Sequence, residues 1–150
     1  MRVIVLDTSV FISACLGSGG ASREALRLCL NRRCLPLMGE ALYREYEAVL
    51  SRERLFRACV LGARERSALF EAFLSVCRWT RVYYSWRPNV PDESDNHVVE
   101  LAVAGGATAI VTRNIRDFGR MELRFGRLAV MDPATLLKGE RNGNADDPGA

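Results

Sequence analysis

The stretch Arg2-Val3-Ile4-Val5-Leu6-Asp7-Thr8-Ser9 decides the fold. Its run of apolar residues, mostly β-branched, is typical of a buried strand. A strand buried on both faces belongs in a parallel sheet covered by helices. Asp7 comes directly after this strand, and ligand sites of open α/β sheets lie at the carboxyl ends of strands. We therefore consider three roles for Asp7, namely a metal ligand, a nucleophile or a helix cap.

The composition indicates one globular domain. A chain of 150 residues, with 49% apolar and 26% charged residues, can bury a sizeable core. No apolar run approaches the length that spans a bilayer. Asp7 also interrupts the apolar run near the N-terminus, so we expect no signal peptide. The expected location is the cytoplasm, without a membrane association.

The cysteines and arginines restrict the chemistry further. The five cysteines are odd in number, form no C-x-x-C pair and are accompanied by a single histidine, His97. This pattern favours buried thiols over a disulfide framework or a zinc site. The net charge of +3 is carried almost entirely by arginine, which suits phosphate recognition. Arginine-rich codon usage explains most of that excess, so the charge is compatible with nucleic acid without proving it.

Strand and helix patterns alternate along the chain. After the first strand we predict strands at residues 34–38, 81–84, 107–112 and 126–131. The helices are predicted at 10–16, 22–33 with Ser22 as N-cap, 40–50, 63–76, 95–104 and 133–137. This alternation indicates an α/β domain with a mostly parallel sheet of four or five strands. The domain should span residues 1–138, and the polar, acidic segment 139–150 should be disordered.

Acidic residues fall at strand ends and near the starts of helices. Asp7 follows the first strand, and Glu45 lies in the helix after the second. Asp95 begins the helix that precedes strand 107–112, and Asn114 and Asp117 follow that strand. Gathered carboxylates repel one another and persist mainly where a cation offsets the repulsion. Oxygen ligands suit Mg²⁺ or Mn²⁺, which can polarise a phosphoryl group and activate water.

Several motifs occur in a characteristic order over residues 1–138. They are Val3-Ile4-Val5-Leu6-Asp7-Thr8-Ser9-Val10, Leu42-Tyr43-Arg44-Glu45-Tyr46, Asp92-Glu93-Ser94-Asp95-Asn96, Ile110-Val111-Thr112-Arg113-Asn114-Ile115-Arg116-Asp117-Phe118 and Met131-Asp132-Pro133-Ala134. The ordered set resembles the PIN domain, the nuclease fold of VapC-type toxins in toxin–antitoxin pairs. Ala21-Ser22-Arg23 and Val49-Leu50-Ser51-Arg52 further resemble the branch of that family described as toxin components.

The resemblance implies a three-layer α/β/α fold and a metal-dependent endoribonuclease that hydrolyses RNA phosphodiester bonds. Asp7, Glu45 and Asp95 would be the catalytic acids and would bind Mg²⁺ or Mn²⁺. As the toxin of a type II toxin–antitoxin system, the protein would bind RNA as substrate, pair with an antitoxin protein and form a homodimer.

The resemblance is incomplete at the fourth metal-ligand position. Asn114 stands where the family often has an acid, and the nearest aspartate is Asp117, so either residue could complete the site. The hydroxyls of Thr8, Ser9 and Thr112 would support the acids. Arg113 and Arg116 flank the proposed site and could contact phosphates.

Other functions remain open at the level of sequence. The asparagine at position 114 would suit a non-catalytic module that binds RNA or protein. An aspartate-nucleophile phosphatase is less favoured, because Ser9 stands where such enzymes carry a second aspartate. Each site residue also has a structural alternative. Asp7 and Asp95 could be helix caps, Glu45 a solvated helix residue and Asp117 a loop acid. His97 could be a packed helix residue, and Trp79, Trp86, Tyr83 and Tyr84 could stack on bases or lie in the core.

Overall fold

The computed structural model of the 150-residue chain describes residues 1–17, 20–82, 96–118 and 128–146. Within these ranges the strands are β1 (Arg2–Leu6), β2 (Cys34–Met38), β3 (Arg78–Trp79), β4 (Ala109–Val111) and β5 (Ala129–Met131). The α-helices are α1 (Thr8–Leu16), α2 (Gly20–Leu30), α3 (Glu40–Leu50), α4 (Ala63–Val76), α5 (Asn96–Gly105) and α6 (Pro133–Asp146). Two short 3-10 helices cover Glu53–Phe56 and Ile115–Asp117.

The strands form one parallel sheet in the order β3-β2-β1-β4-β5. The chain moves outward from β1 through β2 to β3, and then returns to place β4 and β5 on the other side of β1. The order therefore reverses between β1 and β4, and this switch point is where α/β sheets open a crevice for ligands. With helices flanking the sheet, the predicted three-layer α/β/α fold is confirmed.

The core lies around the two central strands. Leu6 pairs with Val111 in register, and both side chains are fully buried because helices cover both faces of the sheet. An aromatic cluster joins α1, α3 and α4, with the rings of Tyr46 and Phe70 stacked 5.2 Å apart and Phe11 edge-on to both. The Tyr46 hydroxyl donates a 2.7 Å hydrogen bond to the carbonyl oxygen of Leu6. This bond ties α3 to the end of β1, directly beside Asp7.

Three predicted elements differ from the structure. Helix α2 begins at Gly20, so Ser22 is a buried residue inside the helix and the predicted N-cap there is wrong. The strand predicted at residues 81–84 is absent from residues 81 and 82, and residues 83 and 84 lie outside the described ranges; β3 is instead the pair Arg78–Trp79. Its register is set by β2, through pairing of Leu37 with Arg78, and two residues are too short to show an alternating pattern.

Helix α6 is the third difference. It continues to Asp146 rather than ending near residue 137, and therefore includes the first part of the segment predicted to be disordered. The sequence there is polar, but α6 packs along α2, and tertiary packing supplies most of the stability of helices in proteins.

Two findings bear on the composition. All five cysteines are free, and burial raises the pKa of the Cys15 thiol to about 11, which agrees with the prediction of core thiols. Among the helices of the described residues, none has the length and apolar character needed to cross a bilayer.

Candidate functional site

Asp7 lies at the switch point of the sheet and is held there by hydroxyl groups. Its backbone N–H donates a 2.9 Å hydrogen bond to the carbonyl oxygen of Val111, which continues the β1–β4 pairing to the strand ends. Its Oδ2 atom accepts hydrogen bonds from the Ser9 hydroxyl at 2.7 Å and from the Thr112 hydroxyl at 2.8 Å. The carboxylate is thereby clamped between the start of α1 and the end of β4.

The burial and hydrogen bonds of Asp7 help to distinguish a helix cap from the other proposed roles of this residue. Asp7 precedes α1 as its N-cap residue, but its side chain makes no capping hydrogen bond. Only 5% of the residue is exposed, and burial raises the pKa of its carboxyl group. The hydrogen bonds from Ser9 and Thr112 lower that pKa, whereas the nearby charge of Glu45 raises it. An acid held in this way is poorly explained by helix capping.

Ser9 and Thr112 also order the loop after β4. The backbone N–H of Arg113 donates to the Ser9 hydroxyl oxygen at 3.1 Å. The backbone N–H of Asn114 donates to the Thr112 hydroxyl oxygen at 3.0 Å. Each hydroxyl therefore donates to Asp7 and accepts from the loop, which joins the carboxylate to residues 113 and 114. Thr8 is buried next to Asp7 and contributes through its backbone N–H, which lowers the pKa of Asp7.

Glu45 and His97 form a second part of the site. The charge of Glu45 is one of the causes that raise the pKa of the Asp7 carboxyl group. The His97 Nε2 atom lies 3.0 Å from Glu45 Oε2, and both side chains are largely buried. The contact lacks hydrogen-bond geometry, so Glu45 Oε2 is buried without a hydrogen-bond partner, and the other ring nitrogen, His97 Nδ1, also has none. A buried, unsatisfied carboxylate oxygen is costly unless a ligand satisfies it.

Arg113 provides a cation at the same edge of the sheet. Its Nη1 atom donates a 2.5 Å hydrogen bond to the Ser13 hydroxyl on α1. The residue as a whole is exposed, so the guanidinium group is oriented by Ser13 and still open to a ligand. Guanidinium groups bind phosphates through paired hydrogen bonds, which fits the predicted contact of Arg113 with RNA.

The remaining predicted residues of the site are Asp95, Asn114, Asp117 and Arg116. Asp95 lies outside the described residues, as do Asp92, Trp86, Tyr83 and Tyr84. Asn114 is exposed, and Asp117 ends the 3-10 helix with its backbone N–H bonded to the Asn114 carbonyl oxygen at 3.1 Å. Arg116 is exposed. Among the described residues no group of three or more His, Cys, Asp or Glu side chains could hold a metal.

The donor atoms of the site suit a hard divalent cation. Both side-chain hydroxyls bond Oδ2 of Asp7, which leaves Oδ1 free of these two donors. Glu45 contributes the buried, unsatisfied Oε2 atom. Carboxylate oxygens are what Mg²⁺ and Mn²⁺ prefer, and an ion would relieve the repulsion between the acids. The residues present therefore fit the predicted Mg²⁺ or Mn²⁺ cofactor.

Three contributors were not identified from the sequence. Ser13 orients Arg113, and its spacing of four residues from Ser9 on α1 was a usable signal, since such residues share a helix face. Tyr46 ties α3 to β1, and nothing in its local sequence indicates that bond. His97 was taken for a packed or surface residue, and its contact with Glu45 depends on how α3 and α5 pack.

The comparisons with known proteins give one positive finding. The family model described as PIN domain matches residues 3–116 of the chain. The match covers β1, the clamp around Asp7, Glu45 and the loop after β4. No curated protein and no solved structure matches the chain.

Proposed function

The chain belongs to the PIN-domain family, and we propose that it is a metal-dependent endoribonuclease that hydrolyses phosphodiester bonds of single-stranded RNA. The observation that carries the proposal is the buried Asp7 carboxylate, clamped at the switch point beside Glu45. Burial and the charge of Glu45 both disfavour ionisation of Asp7, and a bound cation would offset that cost. Nuclease activity is what members of this family generally perform.

Asp7 and Glu45, with Asp95 and either Asn114 or Asp117, would hold Mg²⁺ or Mn²⁺. The ion, when bound, supplies a Lewis acid for the phosphoryl oxygen and lowers the pKa of a water molecule. Ser9 and Thr112 keep the Asp7 carboxylate in one orientation by donating to Oδ2. Glu45 would present its buried Oε2 atom, which has no hydrogen-bond partner and lies 3.0 Å from His97 Nε2. Arg113, oriented by Ser13, would bind a phosphate of the RNA and Arg116 would add charge nearby.

Cleavage of RNA by matched variants of α3 tests this proposal. Glu45→Gln removes the charge of the buried acid, whereas Glu47→Gln removes an exposed charge two residues along the same helix. With a fluorescent single-stranded RNA and Mn²⁺, Glu45→Gln should lower the rate by at least about 100-fold. Glu47→Gln should leave it unchanged, and EDTA should stop cleavage by the unaltered protein. Equal rates for the two variants would refute the assignment of Glu45.

A non-catalytic binding module is a second candidate, favoured by the exposed Asn114 in place of an acid. Calorimetry with Mn²⁺ separates the two functions, because a nuclease must take up the ion and a binding module need not. A phosphatase with Asp7 as nucleophile finds less support, since the partner at position 9 is a serine that donates to Asp7. A covalent phosphate trapped on Asp7 would revive that candidate.

We further propose that the nuclease is the cytoplasmic toxin of a type II toxin–antitoxin system, as the resemblance at residues 21–23 and 49–52 implies. An antitoxin protein would then cover the acidic site, and the toxin would act as a homodimer. Expression of the unaltered chain should arrest growth of a bacterial host, and expression of Asp7→Asn should not. Light scattering of the purified protein tests the dimer.

A further inference from the structure

A cleft of about 780 Å³ adjoins the acidic site. Its lining includes Gly39, which precedes α3, Arg44 in α3 and Trp79 in β3. It also includes Arg81, two residues after β3, and His97 in α5. His97 contacts Glu45 at 3.0 Å, so the same side chain borders the cleft and the proposed metal ligands. The volume lies within the range of about 300–1,000 Å³ typical of ligand sites.

Trp79 is the most unusual residue of this cleft. It is 55% exposed, although tryptophan contributes most to stability when buried. Its backbone is held by the pairing of β3 with Met38, and its ring meets the edge of Tyr43 with a centroid distance of 5.8 Å. The strand pairing and this ring contact restrict the motion of Trp79, and a restricted aromatic surface loses less entropy on binding.

The polar groups of the cleft suit a nucleobase better than a bare phosphate. Arg44 is paired with Glu40 at 2.6 Å, so this wall offers donors and acceptors together rather than a net positive charge. Both partners are mostly exposed, and such pairs are weak enough to exchange for a ligand. A Cβ atom at Gly39 would lie 3.2 Å from the Thr80 carbonyl oxygen, so glycine allows the close approach of backbone at this end.

We propose that this cleft binds an unpaired nucleobase of the substrate, stacked on Trp79, next to the phosphodiester that the acids cleave. The inference rests on RNA being the substrate of the proposed nuclease. A stacking surface accepts the flat face that every base offers, while Glu40 and Arg44 reach its edge. A base within a duplex is already stacked on its neighbours, so the subsite selects single strands.

Binding experiments without cleavage test the subsite. Fluorescein-labelled A10, C10 and U10 strands and a ten-base-pair RNA duplex are titrated with protein in EDTA. Trp79→Ala should weaken binding of the preferred single strand about 5- to 100-fold, and Trp79→Phe should retain most of the affinity. The control Val60→Ala, at a residue 95% exposed and not lining the cleft, should bind like the unaltered protein.

A second measurement does not depend on altering Trp79. The chain has two tryptophans, so Trp86→Phe leaves Trp79 as the sole indole fluorophore. Stacking of a base should quench its emission as single strands bind, and duplex RNA should not. Loss of affinity together with quenching supports the subsite even if Trp79→Ala is less stable than the unaltered protein.

The outcomes separate this inference from the proposed function. Tight binding of single strands that is not weakened by Trp79→Ala and does not quench Trp79 would overturn the subsite alone. The cleft would then be open to a protein ligand. Equal weakening of single-strand and duplex binding by Trp79→Ala would also overturn it. Trp79-dependent binding without Mn²⁺-dependent cleavage would overturn the nuclease and keep the subsite. Absence of binding to every strand would overturn both.

Discussion

Asp7 and Asp132 occupy equivalent places in the fold and behave in opposite ways. Each follows the last residue of a parallel strand, β1 or β5, and directly precedes a helix. Asp132 is partly exposed and accepts a 2.8 Å hydrogen bond from the backbone N–H of Thr135, so it caps α6. Hydrogen bonds from the Thr135 side chain and backbone lower the pKa of Asp132. Asp7 is buried, caps nothing through its side chain, and has a raised pKa.

The difference comes from the neighbours of the two residues. β1 lies in the middle of the sheet and β5 at its edge, and Asp7 is buried whereas Asp132 is partly exposed. The Asp7 carboxylate accepts hydrogen bonds from the hydroxyls of Ser9 and Thr112, which Asp132 lacks as partners. The lowered pKa of Asp132 means that its ionisation favours the fold, whereas the raised pKa of Asp7 means that its ionisation disfavours the fold. A perturbed acid of the second kind is typical of a functional site.

The largest effect should distinguish the two acids by activity. Asp7→Asn removes the charge of the proposed metal ligand, and Asp132→Asn removes the charge of the cap. We expect Asp7→Asn to lower Mn²⁺-dependent cleavage of single-stranded RNA by more than about 100-fold, since even outer partners of metal ligands cost 10–100-fold. Asp132→Asn should stay within about twofold of the unaltered rate, because asparagine also caps helices. Initial rates at saturating Mn²⁺ check this, and wild-type activity of Asp7→Asn would exclude Asp7 from the mechanism.

The next largest effect is expected from breaking the hydroxyl clamp on Asp7, which Asp132 lacks. Thr112 is fully buried, and Thr112→Val removes a donor to Asp7 and an acceptor for the N–H of Asn114. The free energy of unfolding should fall by about 1–3 kcal/mol, the cost of leaving buried polar groups unsatisfied. Urea unfolding at neutral pH measures this.

The matched control for the clamp is Thr108→Val. Thr108 is exposed before the opposite end of β4, and its hydroxyl makes only 3.4 Å hydrogen bonds. That variant should stay within about 0.5 kcal/mol of the unaltered protein. If the two valine variants lose equal stability, the clamp makes no special contribution.

A smaller effect concerns the stability of Asp7→Asn itself. Because the pKa of Asp7 is higher in the folded state, the ionised carboxylate disfavours the fold, and the penalty grows as the pH rises through the folded pKa. Without divalent metal at pH 7, the free energy of unfolding of Asp7→Asn should be about 0.5–2 kcal/mol higher than that of the unaltered protein. The gain should disappear below about pH 4, where the acid is protonated in both states. A loss of stability at pH 7 would contradict the raised pKa.

The smallest effect has the opposite pH dependence. Asp132→Ala should lower the free energy of unfolding by about 1 kcal/mol at pH 7, through loss of the cap. Because the pKa of Asp132 is lowered in the folded state, its contribution is present at neutral pH and is lost as the pH falls through that pKa. Urea unfolding between pH 2 and 7, with Asp132→Asn beside it, measures the slope. A cost that does not change with pH would show that the charge is irrelevant to the cap.

Much of the fold was predictable because its signals are local. The bounds of β2, α3 and α4 agree with the predicted ones, since each combines a clear apolar pattern with glycine or polar residues at its ends. Such signals are missing for β3 and for the part of α6 beyond residue 137. β3 forms because β2 offers hydrogen bonds to a passing segment, and α6 packs on α2.

The candidate site was predictable to a lesser degree. The sequence predicts acids at strand ends, and the structure does bring Asp7, Ser9 and Thr112 together. The sequence could not distinguish Thr8 from Ser9 as the supporting hydroxyl, because the two residues stand side by side after Asp7. The choice depends on how α1 begins relative to β4, a relation between segments about a hundred residues apart.

The sequence by itself determined the parallel sheet and an acid at the end of its first strand, because burial on both faces demands uninterrupted apolar strands. It could not determine what that acid does, since Asp7 and Asp132 have the same local pattern of strand, aspartate and helix. Only the tertiary structure made the distinction. It placed one acid at the central switch point, out of water and among hydroxyls, and the other at the solvated edge, where the helix N–H groups are its best partners.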